Sequence, residues 1–193
     1  MRIIDISQEV LSCKVYPGDP APRGQRLMNM DEGELYNLSA FSMGAHNGTH
    51  VDAPAHFIKD GNTVEKLSLE SFVGECYVAR FDGEVSESDA VYIMHKAAEV
   101  GADKRILIAG SAVVTAAAAR VFTPLLLIGN ESQSVGPEDA PMEVHKILLS
   151  SGTVLLEGVV LDGVKEGRYF LSAAPLNLSG FEGAPVRAYL IEE

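Results

Sequence analysis

The sequence contains no tryptophan and has two cysteines, Cys13 and Cys76, among 193 residues. Two cysteines so far apart match neither a disulfide framework nor a cysteine metal site, so we expect reduced, buried thiols in a cytoplasmic protein. No apolar run approaches the roughly 18 to 20 residues of a membrane-spanning helix. Residues 1–7, with Asp5 among them, lack the apolar core of a secretory signal.

Basic residues are scarce, with 15 Lys and Arg against 27 Asp and Glu and a formal net charge of -12. No stretch concentrates lysine or arginine. A surface of this charge repels nucleic acids and anionic membranes. The composition therefore predicts no nucleic-acid partner and no membrane partner.

The remaining composition is that of a globular protein, with 47% hydrophobic and 22% charged residues. We predict helices at 88–100 (capped by Ser88), 115–121 (capped by Thr115) and 141–151. Patterns of alternating or buried apolar residues predict strands at 2–7, 36–43, 76–81, 105–109, 125–128, 153–156, 169–176 and 186–191. Strands outnumber helices, and the helices alternate with strands. We therefore expect one α/β domain over residues 1–193 with a mixed, strand-rich sheet system.

Residues 44–57, GAHNGTHVDAPAHF, hold three of the five histidines of the chain. Imidazole nitrogens and a carboxylate oxygen are ligands that suit Zn²⁺, and also Mn²⁺ or Fe²⁺. Gly48 allows a tight turn and Pro54 fixes the exit, so a compact loop could bring His46, His50 and Asp52 together. The pattern predicts a metal site on these three side chains.

Three protein ligands leave a coordination position open, which is typical of a catalytic site rather than a structural one. A water in that position would have a pKa lowered to roughly 7. His56 would then be free to transfer protons as a general acid and base. A chance cluster of ordinary histidines is the alternative.

Two later residues fit the same interpretation. Glu157 interrupts the apolar run 154–161, and a carboxylate buried there needs a cation or hydrogen-bond donors. The alternative places Glu157 at a strand end, in solvent. His145 lies on the predicted helix 141–151, and taken alone it fits a helix-surface or core histidine equally well. His95 is predicted to be no ligand.

The run HNGTHVDAPAH at 46–56 matches every position of the His-x-Gly-Thr-His-x-Asp-x-Pro-x-His signature of the cyclase-like metal-dependent hydrolases. The chain therefore resembles this family, which includes bacterial kynurenine formamidase and isatin hydrolase. YPGD at 16–19 is similar to the aromatic-Pro-Gly-Asp loop of the family. The segments at 155–161, 174–176 and 184–188 are similar to later family segments.

The resemblance implies a swivelling β/β/α fold and a homodimer or higher oligomer, with the active site near a subunit interface. It implies that His46, His50 and Asp52 hold a first Zn²⁺ or Mn²⁺. Asp52 would bridge to a second ion, held by His145 and Glu157, in members that bind two. His56 would be the general acid and base.

The substrate-facing segments differ from those of the formamidases, which have Gly-x-Asp-Thr-x-Ser-x-Asp where this chain has GNESQSVG at 129–136. Tyr16 stands where they have tryptophan. We expect Tyr16 to contact a small-molecule substrate, and Glu131 and Ser132 to line the pocket or support a metal ligand. Ordinary turn chemistry is the alternative for Glu131 and Ser132.

The sequence thus predicts hydrolysis of a C–N amide, or of a cyclic amide or ester, in a small molecule. Ring closure at the same centre is a second possibility, because it is the reverse reaction. The third is a metal-binding dimeric module that binds a ligand without catalysis, against which the intact His56 argues because binding needs no proton-transfer group.

Overall fold

The computed structural model describes residues 1–192. Within them the chain forms thirteen strands, namely β1 (Arg2–Asp5), β2 (Arg23–Met28), β3 (Leu38–Ser42), β4 (His50–Asp52), β5 (Val73–Arg80), β6 (Gly83–Val85), β7 (Arg105–Ala109), β8 (Ala112–Val114), β9 (Leu127–Asn130), β10 (Val154–Glu157), β11 (Gly167–Ser172), β12 (Gly183–Pro185) and β13 (Tyr189–Glu192). Three α-helices accompany them, namely α1 (Glu87–Glu99), α2 (Ala116–Phe122) and α3 (Met142–Ser150). The longest, α1, has 13 residues, and none could span a bilayer, which takes about 20.

Nine strands form one mixed sheet in the order β1-β13-β11-β5-β7-β9-β10-β4-β12. The central strands β5, β7, β9 and β10 are parallel to one another. Both flanks are antiparallel, with β11, β13 and β1 on one side and β4 and β12 on the other. The mixed α/β sheet predicted from sequence is confirmed.

The two faces of the sheet have separate cores because successive strand residues point to opposite sides. On one face, Ile106, Ile108 and Leu155 pack against all three helices. On the other face, Leu107, Leu156 and Val51 pack with residues of β1, β11 and β13 and of the loops. His50 and Asp52 flank Val51 on β4, so their side chains lie on the helix-covered face.

A hairpin of β2 and β3 stands apart from this sheet as a two-stranded sheet of its own. Nearly all of its strand residues are exposed. Several of its apolar side chains face solvent, including Leu27, Leu38 and Phe41. A lone two-stranded hairpin is at best marginally stable in water, so the pairing of β2 with β3 contributes little stability by itself.

Several sequence predictions need correction. Ser86, not Ser88, caps α1, because its side chain and that of Asp89 form a reciprocal capping box. The strand predicted at 169–176 is Gly167–Ser172, and the one predicted at 186–191 is Tyr189–Glu192. Cys76 is buried, but Cys13 is partly exposed. The strands β4, β6, β8 and β12 were not predicted, because three-residue strands carry too little periodicity to read. Strand β2 was not predicted either, because its six residues, RGQRLM, show no alternation of apolar and polar side chains.

Candidate metal centre

The histidine cluster lies at the carboxyl ends of the parallel strands β9 and β10, on the face of the sheet that carries α3. Open α/β sheets commonly bind ligands at this edge. His50 to Asp52 form strand β4, not the compact loop expected from sequence. Strand pairing rather than a tight turn therefore positions two of the predicted ligands.

The register between β4 and β10 brings three ligand candidates together, namely His50, Asp52 and Glu157. His50 pairs with Glu157, and Leu155 pairs with Asp52, so the polar side chains share one face. His50 Nε2 lies 3.4 Å from Glu157 Oε2 and 3.5 Å from Asp52 Oδ1. All three side chains are buried.

Helix α3 adds a fourth group to this cluster. His145 Nε2 lies 3.2 Å from Glu157 Oε1 and 3.4 Å from Asp52 Oδ2. Zinc bonds of about 2.0–2.2 Å at tetrahedral angles would hold neighbouring ligand atoms roughly 3.3–3.5 Å apart. The observed separations therefore suit ligands that share a divalent cation.

Backbone contacts determine which nitrogen of two histidines faces the carboxylates. His50 Nδ1 donates to the carbonyl oxygen of Gly48 at 3.0 Å, and His145 Nδ1 donates to that of Pro141 at 2.9 Å. The Nε2 atom of each ring then faces carboxylate oxygens. It carries a lone pair if the imidazole is neutral and a second proton if the imidazole is charged. Metal-bound histidines show this arrangement, with the outer nitrogen donating to a backbone carbonyl.

Asp52 Oδ2 is buried and accepts no hydrogen bond in the part of the chain that the structure describes. A buried carboxylate oxygen without a partner costs free energy unless a cation satisfies it. The unpartnered oxygen and the spacing of its neighbours both fit a divalent ion, so these donors suit the metal predicted from sequence.

His46 and His56 lie on the other side of Asp52. His46 Nδ1 lies 2.8 Å from Asp52 Oδ1, and its Nε2 lies 3.3 Å from Glu182 Oε1. His56 Nε2 lies 3.8 Å from Asp52 Oδ2, and the two imidazole rings are 4.1 Å apart. Two triads can thus hold an ion, His46–Asp52–His56 and His50–Asp52–Glu157, and Asp52 belongs to both.

The sequence-based division of ligands differs from these triads, because it grouped His46 with His50 and kept His56 apart. The structure gathers the other five predicted residues around Asp52, and the division of ligands between ions stays a prediction. Among these six residues, His56 has the most exposed imidazole, at 28%. It therefore lies where a substrate can reach it.

Charge in the cluster perturbs the titrating groups. Burial would raise the pKa of Asp52, but the neighbouring imidazoles of His145 and His46 hold it well below its usual range. Burial would lower the pKa of His145, but Asp52 and Glu157 raise it to about 10. Burial would also lower the pKa of His46, but the neighbouring Asp52 raises it to about 9. At His56 burial dominates and lowers the pKa, which favours the neutral imidazole.

Gly48, Thr49 and Gly158 connect two segments, the one that contains the histidines and the one that follows β10. Gly48 has a φ of 65° and Gly158 a φ of 67°, a left-handed conformation that favours glycine. Thr49 Oγ1 donates to the Gly158 carbonyl oxygen at 2.7 Å. The backbone N–H of Val135 donates to Glu157 Oε1 at 2.8 Å, which helps hold that carboxylate in place.

A cavity of about 240 Å³ opens beside the cluster. Residues outside the cluster that line it are Tyr16, Asp19, Phe57, Gln133, Ser134 and Pro141. The volume is below the roughly 300–1,000 Å³ of pockets for drug-sized ligands. The cavity therefore suits a small molecule.

Of the three predicted substrate contacts, Tyr16 lines the cavity, and its hydroxyl donates to the Glu138 carbonyl oxygen at 2.5 Å. Glu131 and Ser132 are not among the lining residues. Glu131 accepts from the backbone N–H groups of Gly110 and Leu161, and Ser132 Oγ donates to Glu138 Oε1 at 2.6 Å. Their contact with substrate stays a prediction, and these hydrogen bonds favour a supporting role.

Sequence reasoning missed Gln133 and Ser134, which directly follow Ser132 in the same loop. It also missed Phe57, although an aromatic residue directly after His56 was a readable signal. Glu182 precedes β12 and approaches His46 because β12 pairs with β4. No local pattern in the sequence predicts the contact between Glu182 and His46.

The chain is similar to known proteins over nearly its whole length. A kynurenine formamidase of Erythrobacter litoralis (strain HTCC2594) is 34% identical over 211 residues, which cover 99% of this chain and 94% of that protein. A solved structure titled a potential metal-dependent hydrolase with cyclase activity has a TM-score of 0.81 at 26% identity, covering 98% of this chain and 96% of its own.

Isatin hydrolase A from Labrenzia aggregata shares the fold, with a TM-score of 0.82 at 22% identity over 100% of this chain and 94% of its own. The family model described as “Putative cyclase” matches residues 4–120. The resemblance stated from the sequence motifs is confirmed. The chain belongs to this cyclase family, and it is a metal-dependent hydrolase.

Proposed function

We propose that this enzyme hydrolyses a small molecule, either at the C–N bond of an acyclic formamide or at a cyclic amide or cyclic ester bond. One observation carries the proposal. Two buried carboxylates, Asp52 and Glu157, share one cluster with four imidazoles, and Asp52 Oδ2 accepts no hydrogen bond in the described chain. Similarity to a kynurenine formamidase supports an amide as the bond that is hydrolysed.

His46, His50, Asp52, His145 and Glu157 would hold the metal, as one ion or as two that share Asp52. Nitrogen and carboxylate donors suit Zn²⁺ or Mn²⁺. When bound, such an ion polarises a carbonyl group and lowers the pKa of water, which makes water a nucleophile near neutral pH. The hydrogen bonds from His50 and His145 to backbone carbonyls keep both Nε2 atoms turned towards the carboxylates.

His56 is the proposed general acid and base. Its Nε2 lies 3.8 Å from Asp52 Oδ2, and the ring borders the cavity. The imidazole takes a proton at Nε2 from the attacking water and delivers it to the leaving nitrogen, which departs as a neutral amine. Phe57 packs edge-on against this ring with centroids 4.5 Å apart, which restricts its orientation.

The exposed hairpin supports a homodimer, as the family resemblance implied. Phe41 is 64% exposed and Leu27 is 50% exposed on this hairpin. Exposed apolar patches commonly mark interfaces, and a second copy of the chain would cover this one. The cytoplasmic location predicted from sequence stays a prediction, to which the unpaired state of Cys13 and Cys76 adds support.

Metal content per chain is the first test, measured by plasma mass spectrometry on wild type and on Asp52→Ala. We expect stoichiometric Zn²⁺ or Mn²⁺ in wild type and none in the variant, because Asp52 belongs to both triads. The loaded enzyme is then offered formyl amides, cyclic amides and lactones. A wild-type protein that takes up neither metal, or a loaded protein that cleaves none of these compounds, would overturn the proposal.

A further inference from the structure

His46 is held differently from two other histidines of the metal cluster. His50 and His145 each donate from Nδ1 to a backbone carbonyl oxygen and turn Nε2 towards the carboxylates. His46 has the reverse orientation, with Nδ1 2.8 Å from Asp52 Oδ1 and Nε2 3.3 Å from Glu182 Oε1. The outer nitrogen of His46 therefore meets a carboxylate that belongs to none of the predicted ligand sets.

Strand pairing brings Glu182 to this position. Glu182 directly precedes β12, in which Gly183 pairs with Asp52 of β4. The backbone carbonyl oxygen of Glu182 also accepts from the Ala53 N–H at 2.8 Å. Within residues 1–192 the side chain of Glu182 forms a hydrogen bond with His46 alone. The backbone thus positions Glu182, and its carboxylate is free to act on the imidazole.

Packing confines the ring of His46 without deciding which way round it lies. A Cβ on Gly183 would lie 2.6 Å from His46 Cε1, so the ring packs against the bare backbone of β12. The ring of His56 is close as well, with centroids 4.1 Å apart. An imidazole turned over by 180° has nearly the same shape, but it exchanges Nδ1 with Cδ2 and Nε2 with Cε1. Only hydrogen bonds distinguish the two orientations.

We infer that Glu182 orients His46 by accepting the Nε2–H hydrogen bond, which leaves the lone pair of Nδ1 for an ion beside Asp52. The inference rests on the proposed function, in the part that assigns His46 to the metal. Metal-bound histidines commonly donate their outer N–H to a carboxylate, and loss of such a partner costs about 10- to 100-fold in metal affinity. Glu182 is a positioning residue, because it acts on the ion through His46.

The hydrogen bond of Glu182 matters more than its charge. The side chain of Glu182 is 43% exposed, so solvent screens its attraction for a cation. A neutral side chain that can still accept from Nε2 should therefore replace it. Glutamine has such an acceptor in its amide oxygen, whereas alanine has none.

Competition with a chromogenic chelator measures the affinity for Zn²⁺ of wild type, Glu182→Ala and Glu182→Gln. We expect Glu182→Ala to bind one ion about 10- to 100-fold more weakly than wild type. Glu182→Gln should retain most of the wild-type affinity. The control, Glu84→Ala, removes an exposed carboxylate from β6, in a separate sheet, and should bind Zn²⁺ as wild type does.

Cobalt substitution separates a positioning residue from a ligand, because the visible spectrum of bound Co²⁺ depends on the atoms that coordinate it. Wild type and Glu182→Gln should give the same bands. A changed spectrum in Glu182→Gln, or a loss of affinity as large as in Glu182→Ala, would overturn the inference. Wild-type affinity in Glu182→Ala overturns the inference alone, whereas a wild type that binds no metal overturns the proposed function with it.

Discussion

Glu157 lies directly opposite His50 in the antiparallel pair of β10 and β4, with Oε2 3.4 Å from His50 Nε2. The pairing also brings Asp52 onto the same face. A shift of register by one residue would turn all these side chains to the opposite face of the sheet. The metal centre therefore depends on one strand register as much as on the identity of its ligands.

His56→Gln should separate proton transfer from metal binding. We expect kcat to fall by about 10²- to 10⁴-fold, the usual contribution of general acid–base catalysis, while the cluster around Glu157 keeps its metal. Steady-state kinetics and metal analysis on the same sample check both parts. His95→Gln, on the exposed face of α1, serves as the control. Loss of all metal from His56→Gln would make His56 a ligand rather than the proton carrier.

Removal of metal by a chelator should lower the melting temperature. Asp52 and Glu157 are buried, and without a cation their charges rely on the histidines alone. A ligand at 100 times its Kd adds about 2.7 kcal/mol of stability to the folded state. Differential scanning calorimetry before and after chelation, followed by return of Zn²⁺ or Mn²⁺, measures the loss and shows which ion restores it. An unchanged melting temperature would argue against a tightly held metal.

Gly158→Ala should destabilise the protein and weaken metal binding. A Cβ on Gly158 would lie 2.5 Å from the Gly48 carbonyl oxygen, in addition to the strain of a φ of 67°. We expect a loss of about 2–4 kcal/mol in the free energy of unfolding. Gly163→Ala is a matched control, because its φ is 72° but a Cβ there meets nothing within 4 Å. Equal losses in the two variants would show that backbone strain alone is responsible.

Phe41→Ser should shift the enzyme from dimer to monomer if the hairpin of β2 and β3 forms the subunit interface. Loss of a buried aromatic anchor commonly costs an interface 2 kcal/mol or more. Light scattering coupled to size exclusion, over a range of protein concentrations, measures the shift. Tyr92→Ser removes an equally exposed aromatic residue from α1 and should leave the mass unchanged. A monomeric wild type would refute the dimer itself.

Local sequence was sufficient to predict the family and a divalent-metal site. The spacing of His46, His50, Asp52 and His56 predicted a metal site, because ligands that are close in sequence form a recognisable motif. The three helices were also predictable, since caps and apolar periodicity act within a few residues. The carboxylate of Glu157 could be suspected, because an acidic residue in an apolar strand needs a partner.

Tertiary structure alone decided how those residues meet and what surrounds them. Glu182 reaches His46 because β12 pairs with β4, and His145 reaches Asp52 because α3 packs over β10. Asp19 borders the same cavity although its loop lies near the N-terminus. These contacts join segments that are distant in the chain, and strand register and helix packing set them through the burial of many side chains at once. No short stretch of sequence carries that information.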